Sequence, residues 1–114
     1  MPFLKIETNA VSNEEKIQAM LKKASRVVAQ KLNKPERYMM VSIETDPAMM
    51  FGGSTAPAAF VDLKGIGLPT DQTKDLSGVL CELVESGLGV AKDRIYINFA
   101  DVPGNLWGWN GQTF

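Results

Sequence analysis

Leu32-Asn33-Lys34-Pro35-Glu36-Arg37-Tyr38 and Leu88-Gly89-Val90-Ala91-Lys92-Asp93-Arg94-Ile95 read as two versions of one segment, the second longer by one residue. Each follows an amphipathic run and leads into an apolar one. In the first, Pro35 has no amide to donate and stops the helix before it; in the second, Gly87 and Gly89 close the helix. Upstream of the first exit, Ile17, Met20, Leu21, Ala24, Val27 and Val28 recur at three and four, with Lys16, Lys22, Lys23 and Arg26 on the opposite face. That spacing predicts a helix to about Leu32. Its start is marked by Ser12-Asn13-Glu14-Glu15, a capping box in which the Ser12 hydroxyl would accept from the Glu15 amide. Upstream of the second exit, Thr70-Asp71-Gln72 after Pro69 opens a helix with a buried stripe of Leu76, Val79, Leu80, Leu83 and Val84. Strands flank both helices: 3–8 alternates, 38–44 is apolar and ends at Asp46-Pro47, 58–66 follows the glycine-broken stretch 49–54, and 94–99 closes the second unit.

Strand, helix, strand thus occurs twice. Two βαβ units with right-handed crossovers give an α/β chain (α+β in some schemes) with a four-stranded mixed sheet and two helices on one face. The other face is left uncovered, and its apolar strand residues point to a second copy of the chain as cover. The tail from Val102 carries three glycines with Trp107, Trp109 and Phe114, which predicts a packed irregular or β segment.

Length and charge narrow the function. With 114 residues, one domain over 1–114 can bury roughly two thirds of its unfolded surface. Twelve Lys+Arg against thirteen Asp+Glu, interleaved, give no basic stripe for nucleic acid or an anionic membrane. No stretch approaches the roughly 20 apolar residues of a membrane span, and the N-terminus does not read as a signal peptide, so the expected location is cytoplasmic. A single cysteine, Cys81, makes no internal disulfide and sits in the second helix as a small hydrophobe; without histidine, the usual zinc sites and every His-based triad are unavailable. No metal or cofactor is expected.

Pro2 at the head of the first strand, Lys34-Pro35, Met50-Phe51-Gly52-Gly53-Ser54, Ile66-Gly67, Asp93-Arg94-Ile95-Tyr96-Ile97-Asn98, Gly108-Trp109-Asn110 and Thr113-Phe114 together resemble the macrophage migration inhibitory factor family of the tautomerase superfamily. The likeness spans the whole chain. It implies a homotrimer with a pocket between neighbouring subunits that tautomerises phenylpyruvate-like α-keto acids, with dopachrome-type isomerisation as a further activity. It also implies that Met1 is removed and that the freed Pro2 amine is the catalytic base. Lys34 and Ile66 match substrate-contacting positions, Tyr96 and Asn98 match those donated by the adjacent subunit, and Phe3, Trp107, Trp109 and Phe114 match the pocket wall. Receptor-binding, cytokine-like signalling is the alternative function, with no motif here to mark a receptor; hydration or dehalogenation of an acrylate ranks last, because Arg26, Arg37 and Arg94 match none of the arginines those relatives use.

The residue types suit the chemistry. A keto–enol tautomerase needs a base that is partly free at neutral pH and a group to hold enolate charge. An N-terminal proline is a secondary amine, and apolar walls from Phe3, Ile66, Tyr96 and Trp109 together with the Lys34 cation would disfavour its protonation. Lys34 can pair with a carboxylate, Asn98 can donate to a substrate oxygen, and the aromatic wall can hold a phenyl ring. Taken singly, Lys34 is a helix-end cation, Tyr96 a strand aromatic and Ile66 core. Two features depart from the family pattern. Pro57-Ala58-Ala59-Phe60 stands where animal members carry Cys-x-x-Cys, so thiol-oxidoreductase activity is not expected, and Trp107 replaces a small aliphatic residue, which favours phenylpyruvate over the bulkier dopachrome.

Overall fold

In the computed structural model, which describes all 114 residues, strand β1 (Pro2–Thr8) alternates strictly between the two faces of a sheet. Pro2, Leu4, Ile6 and Thr8 are buried, whereas Phe3, Lys5 and Glu7 are partly exposed. The polar member of the buried set is satisfied: the Thr8 hydroxyl donates to the Ala58 carbonyl at 2.7 Å and accepts from the Ala10 amide at 3.0 Å. The buried side meets two helices, α1 (Glu14–Lys31) and α2 (Thr73–Leu88). Met20, Ala24, Val28 and Ala29 of α1 and Leu76, Leu80, Leu83, Val84 and Leu88 of α2 supply the helical half of the core. Ile17, Leu21, Val27 and Val79 are only half-buried, because they flank the stripe rather than face the sheet.

The remaining strands are β2 (Met40–Glu44), β3 (Ala59–Gly65) and β4 (Ile95–Asp101), in the order β2-β1-β3-β4. β1 pairs in parallel with β2 and β3 with β4, while the central pair β1 and β3 is antiparallel. Two βαβ halves are therefore joined back to back into one mixed sheet with both helices on one side, the architecture that the two segments quoted above predict. The resemblance between those segments is also one of backbone. α1 ends with Asn33 at φ 55° and α2 with Gly89 at φ 71°, both left-handed, and each exit then makes one 3-10 turn (36–38, 92–94) before its strand. The extra turn delays β2 to Met40, and Tyr38 lies on the turn rather than in the strand expected from 38.

Three local expectations are corrected. The N-cap of α1 is Asn13, whose side chain accepts from the Lys16 amide at 2.9 Å; Ser12 lies one residue too early, and its buried hydroxyl has no partner. A 3-10 turn over Thr70–Gln72 precedes α2, so the α-helix proper opens at Thr73. The open face of the sheet is not mainly apolar: Phe3, Met40, Phe60 and Tyr96 alternate with Lys5, Glu7, Asp62, Lys64 and Asn98. The tail forms a hairpin, β5 (Gly108–Trp109) and β6 (Gln112–Thr113), around Asn110 and Gly111, both at positive φ as a two-residue turn requires. It folds back so that the Phe114 amide reaches the Gly104 carbonyl at 3.1 Å, yet Trp109 and Phe114 keep 55% and 50% of their surface exposed.

Candidate active site

The sheet register fixes where each candidate side chain stands. Pro2 pairs with Gly65, and Gly65 pairs with Asp101, so Pro2 lies at the end of the sheet where β3 and β4 finish. The loop after Gly65 and the exit of α1 close over it, and Met1, Pro2, Leu32, Lys34, Ile66 and Leu68 line a narrow crevice there. Pro2, Lys34 and Ile66, far apart in sequence, are thus brought together. Gly67, at φ 68°, turns the loop so that a side chain at its Cβ would stand 4.0 Å from Lys34 Nζ.

The crevice adjoins a wider cleft of about 490 Å³ on the outer side of Pro2, walled by Phe3, Tyr38, Met40, Leu106, Trp107 and Trp109. The aromatic rings are mutually braced. Tyr38 meets Trp109 edge-on at 6.1 Å, and Trp109 stacks on Phe114 at 6.1 Å with planes 13° apart. Phe3, Trp107 and Trp109 line this cleft, whereas Phe114 does not and is stacked on Trp109. Sequence reasoning missed Tyr38, Arg37 and Lys64. Strand alternation alone could have found Lys64, which stands directly opposite Phe3 on the open face. Tyr38 and Arg37 had no such signal, because their placement depends on the 3-10 turn.

Electrostatically the region favours a neutral amine. The α-amine at the start of the chain, beside Pro2, is held below the usual range for such groups, first by burial and second by the positive charge of Lys34. Burial likewise pushes the Cys81 thiol up, away from a reactive thiolate.

Tyr96 and Asn98 do not join this group within one chain. Tyr96 pairs with Phe60, whose other neighbour is Glu7, so it lies five positions along the strand from Asp101, about 16 Å at the ordinary strand rise. Both side chains project from the open face. Tyr96 is 62% exposed, packs on Phe51 at 4.7 Å between ring centres, and borders an apolar hollow with Met49, Met50 and Phe60.

A mixed sheet of two back-to-back βαβ halves with both helices on one side is the architecture of the tautomerase superfamily. The profile of the macrophage migration inhibitory factor (MIF) family matches residues 1–114, and the chain belongs to that family. It is 38% identical to a macrophage migration inhibitory factor homolog of Trichinella spiralis, with all of both chains covered. The corresponding homolog of Brugia malayi is 39% identical over all of this chain and 99% of its own. Among solved structures, the homologue from Prochlorococcus marinus superposes with a TM-score of 0.93 at 39% identity, covering 98% of each chain. Membership supports a tautomerase or cytokine-like function in general terms. Neither helix is long and apolar enough to cross a membrane.

Proposed function

We propose that the chain is a keto–enol tautomerase of phenylpyruvate-like α-keto acids, one unit over 1–114, working as a homotrimer with the Pro2 amine as base once Met1 is removed. The observation that carries this reading is the convergence of Pro2, Lys34 and Ile66 in one crevice where burial and a neighbouring cation disfavour protonation of an amine. While Met1 is attached, the Pro2 nitrogen is a tertiary amide without basicity; its removal frees the Pro2 amine in the crevice that Lys34 and Ile66 line.

The neutral Pro2 amine takes the proton from the carbon next to the ketone and, as the ammonium, returns a proton to the enolate oxygen; the reverse path takes the enol proton and protonates carbon. Lys34 pairs with the substrate carboxylate and offsets enolate charge, while the ring of the substrate lies against Phe3, Tyr38 and Trp109. Tyr96 and Asn98 of the partner subunit complete the site. The exposure of Tyr96 with Phe60 and Met50 at the end of the sheet remote from Pro2, and of Asn98 on the same open face at mid-strand, supports an interface there.

The test is the ultraviolet decay of enol-phenylpyruvate with protein whose mass shows Met1 removed, beside a Pro2→Gly variant. Ketonisation well above buffer that falls at least about a hundredfold in the variant, the usual scale of general acid–base catalysis, supports the reading. Equal rates in the two proteins, or full activity in a form that retains Met1, would overturn the proline base.

A further inference from the structure

The cleft outside Pro2 has an unbalanced charge. Arg37 and Lys64 line it and Lys34 lines the adjoining crevice, while none of the thirteen acidic residues borders either. None of these three cations belongs to an ion pair; the lysines that do are Lys5, Lys31 and Lys92. Glu36, the acid beside Arg37 in sequence, accepts from the Ser25 hydroxyl at 2.9 Å, and Asp62, two residues from Lys64 on the same open face, makes no ion pair and does not line the cleft. The arginine of the other helix exit makes the contrast plain. Arg94 donates to the carbonyls of Pro57, Ser54 and Ala56 at 2.9–3.1 Å, and its role is structural. Arg37 lies 4.8 Å over the Tyr38 ring, and Lys64 Nζ lies 5.7 Å from the Phe3 ring centre. Both free cations are thus held by the quadrupoles of two wall aromatics, which position a charge without neutralising it.

We infer that Arg37 and Lys64 form a second anion subsite across the aromatic wall from Lys34, so that the preferred substrate is an aromatic or extended unsaturated α-keto acid bearing a second carboxylate at its far end. A monoanion needs one counter-charge, and Lys34 supplies it. Arg37 and Lys64 are exposed and unpaired beside apolar walls, so both are free to pair with an anion that brings its own apolar body. The guanidinium fork suits a carboxylate, and its stacking on Tyr38 holds it in one plane. The inference rests on the proposed chemistry for the keto acid, but the charge pattern can be read without turnover.

The experiment compares the enols of phenylpyruvate and 4-carboxyphenylpyruvate as substrates, with phenylacetate and 4-carboxyphenylacetate as non-reacting ligands. Binding is followed by the fluorescence of Trp107 and Trp109, the two tryptophans of the chain, both at the cleft. The second carboxylate is expected to raise kcat/KM and tighten binding about fivefold or more, an advantage that shrinks as salt screens it. Arg37→Gln and Lys64→Gln lower the ratio between the dianion and the monoanion, mainly through KM, whereas Lys23→Gln on the outer face of α1 leaves the ratio unchanged. Discrimination in binding by a protein that turns over neither enol would sink the tautomerase reading and leave the subsite standing. A ratio of one or less in the wild-type protein, or a ratio that neither cleft variant moves, overturns the subsite.

Discussion

At the residue scale, the proposed mechanism rests on one amine, and its surroundings give the sign of the expected pH dependence. The Pro2 nitrogen accepts a proton only when neutral. Burial and the Lys34 charge lower the pKa of the α-amine one residue earlier, at Met1, and the same neighbours are expected to raise the neutral fraction of a freed Pro2 amine. The rate is therefore expected to climb as pH rises through the lowered value and to level off above it. Lys34→Ala removes the repelling charge and moves the acid limb to higher pH; it also removes the carboxylate partner, at a cost of about tenfold in kcat/KM for enol-phenylpyruvate. A pH–rate profile of the variant with an unmoved limb would place the cause of the depression in burial alone.

At the scale of elements, the start of α1 separates pattern from geometry. Ser12 with Glu15 has the spacing of a capping box, but Asn13 makes the capping bond and the Ser12 hydroxyl is buried without a partner. Asn13→Ala is expected to destabilise the fold by about 1 kcal/mol in urea or thermal unfolding, whereas Ser12→Ala leaves stability equal or higher because it deletes an unsatisfied buried group. The reverse order would restore Ser12 as the cap. The helix exits supply more of the proposed site than the helices do. Through a left-handed residue and one 3-10 turn, the first exit delivers Lys34 to the crevice and Arg37 and Tyr38 to the cleft, and the second delivers the strand of Tyr96 and Asn98.

At the scale of the whole molecule, Pro2 and Tyr96 stand at opposite ends of the sheet, so a site that uses both is built from two chains. The wild-type protein is expected to sediment as three 12.5 kDa chains. Pro2→Gly and Tyr96→Ala chains, each weak alone, are expected to regain a measurable share of activity when co-expressed, because some interfaces then join an intact Pro2 to an intact Tyr96. Co-expressed protein that assembles but is no more active than the average of the two variants would show that each site is complete within a chain.

The sequence by itself determined the two βαβ halves, the helix faces, the alternation of the first strand and, through the family resemblance, the proline, lysine and isoleucine at the head of the sheet. Each is written in local periodicity, in breakers such as Pro35 and Gly89, or in a motif that keeps its order along the chain. Tertiary structure alone decided which of two adjacent polar residues caps α1, that Tyr38 leaves its strand to brace Trp109, and that Arg37 and Lys64 meet across one cleft without an acidic partner. These depend on distances between residues remote in sequence and on a turn that shifts phase by a single residue. Hydrophobic pattern specifies which face is buried, but it carries no information about which side chains that burial brings together.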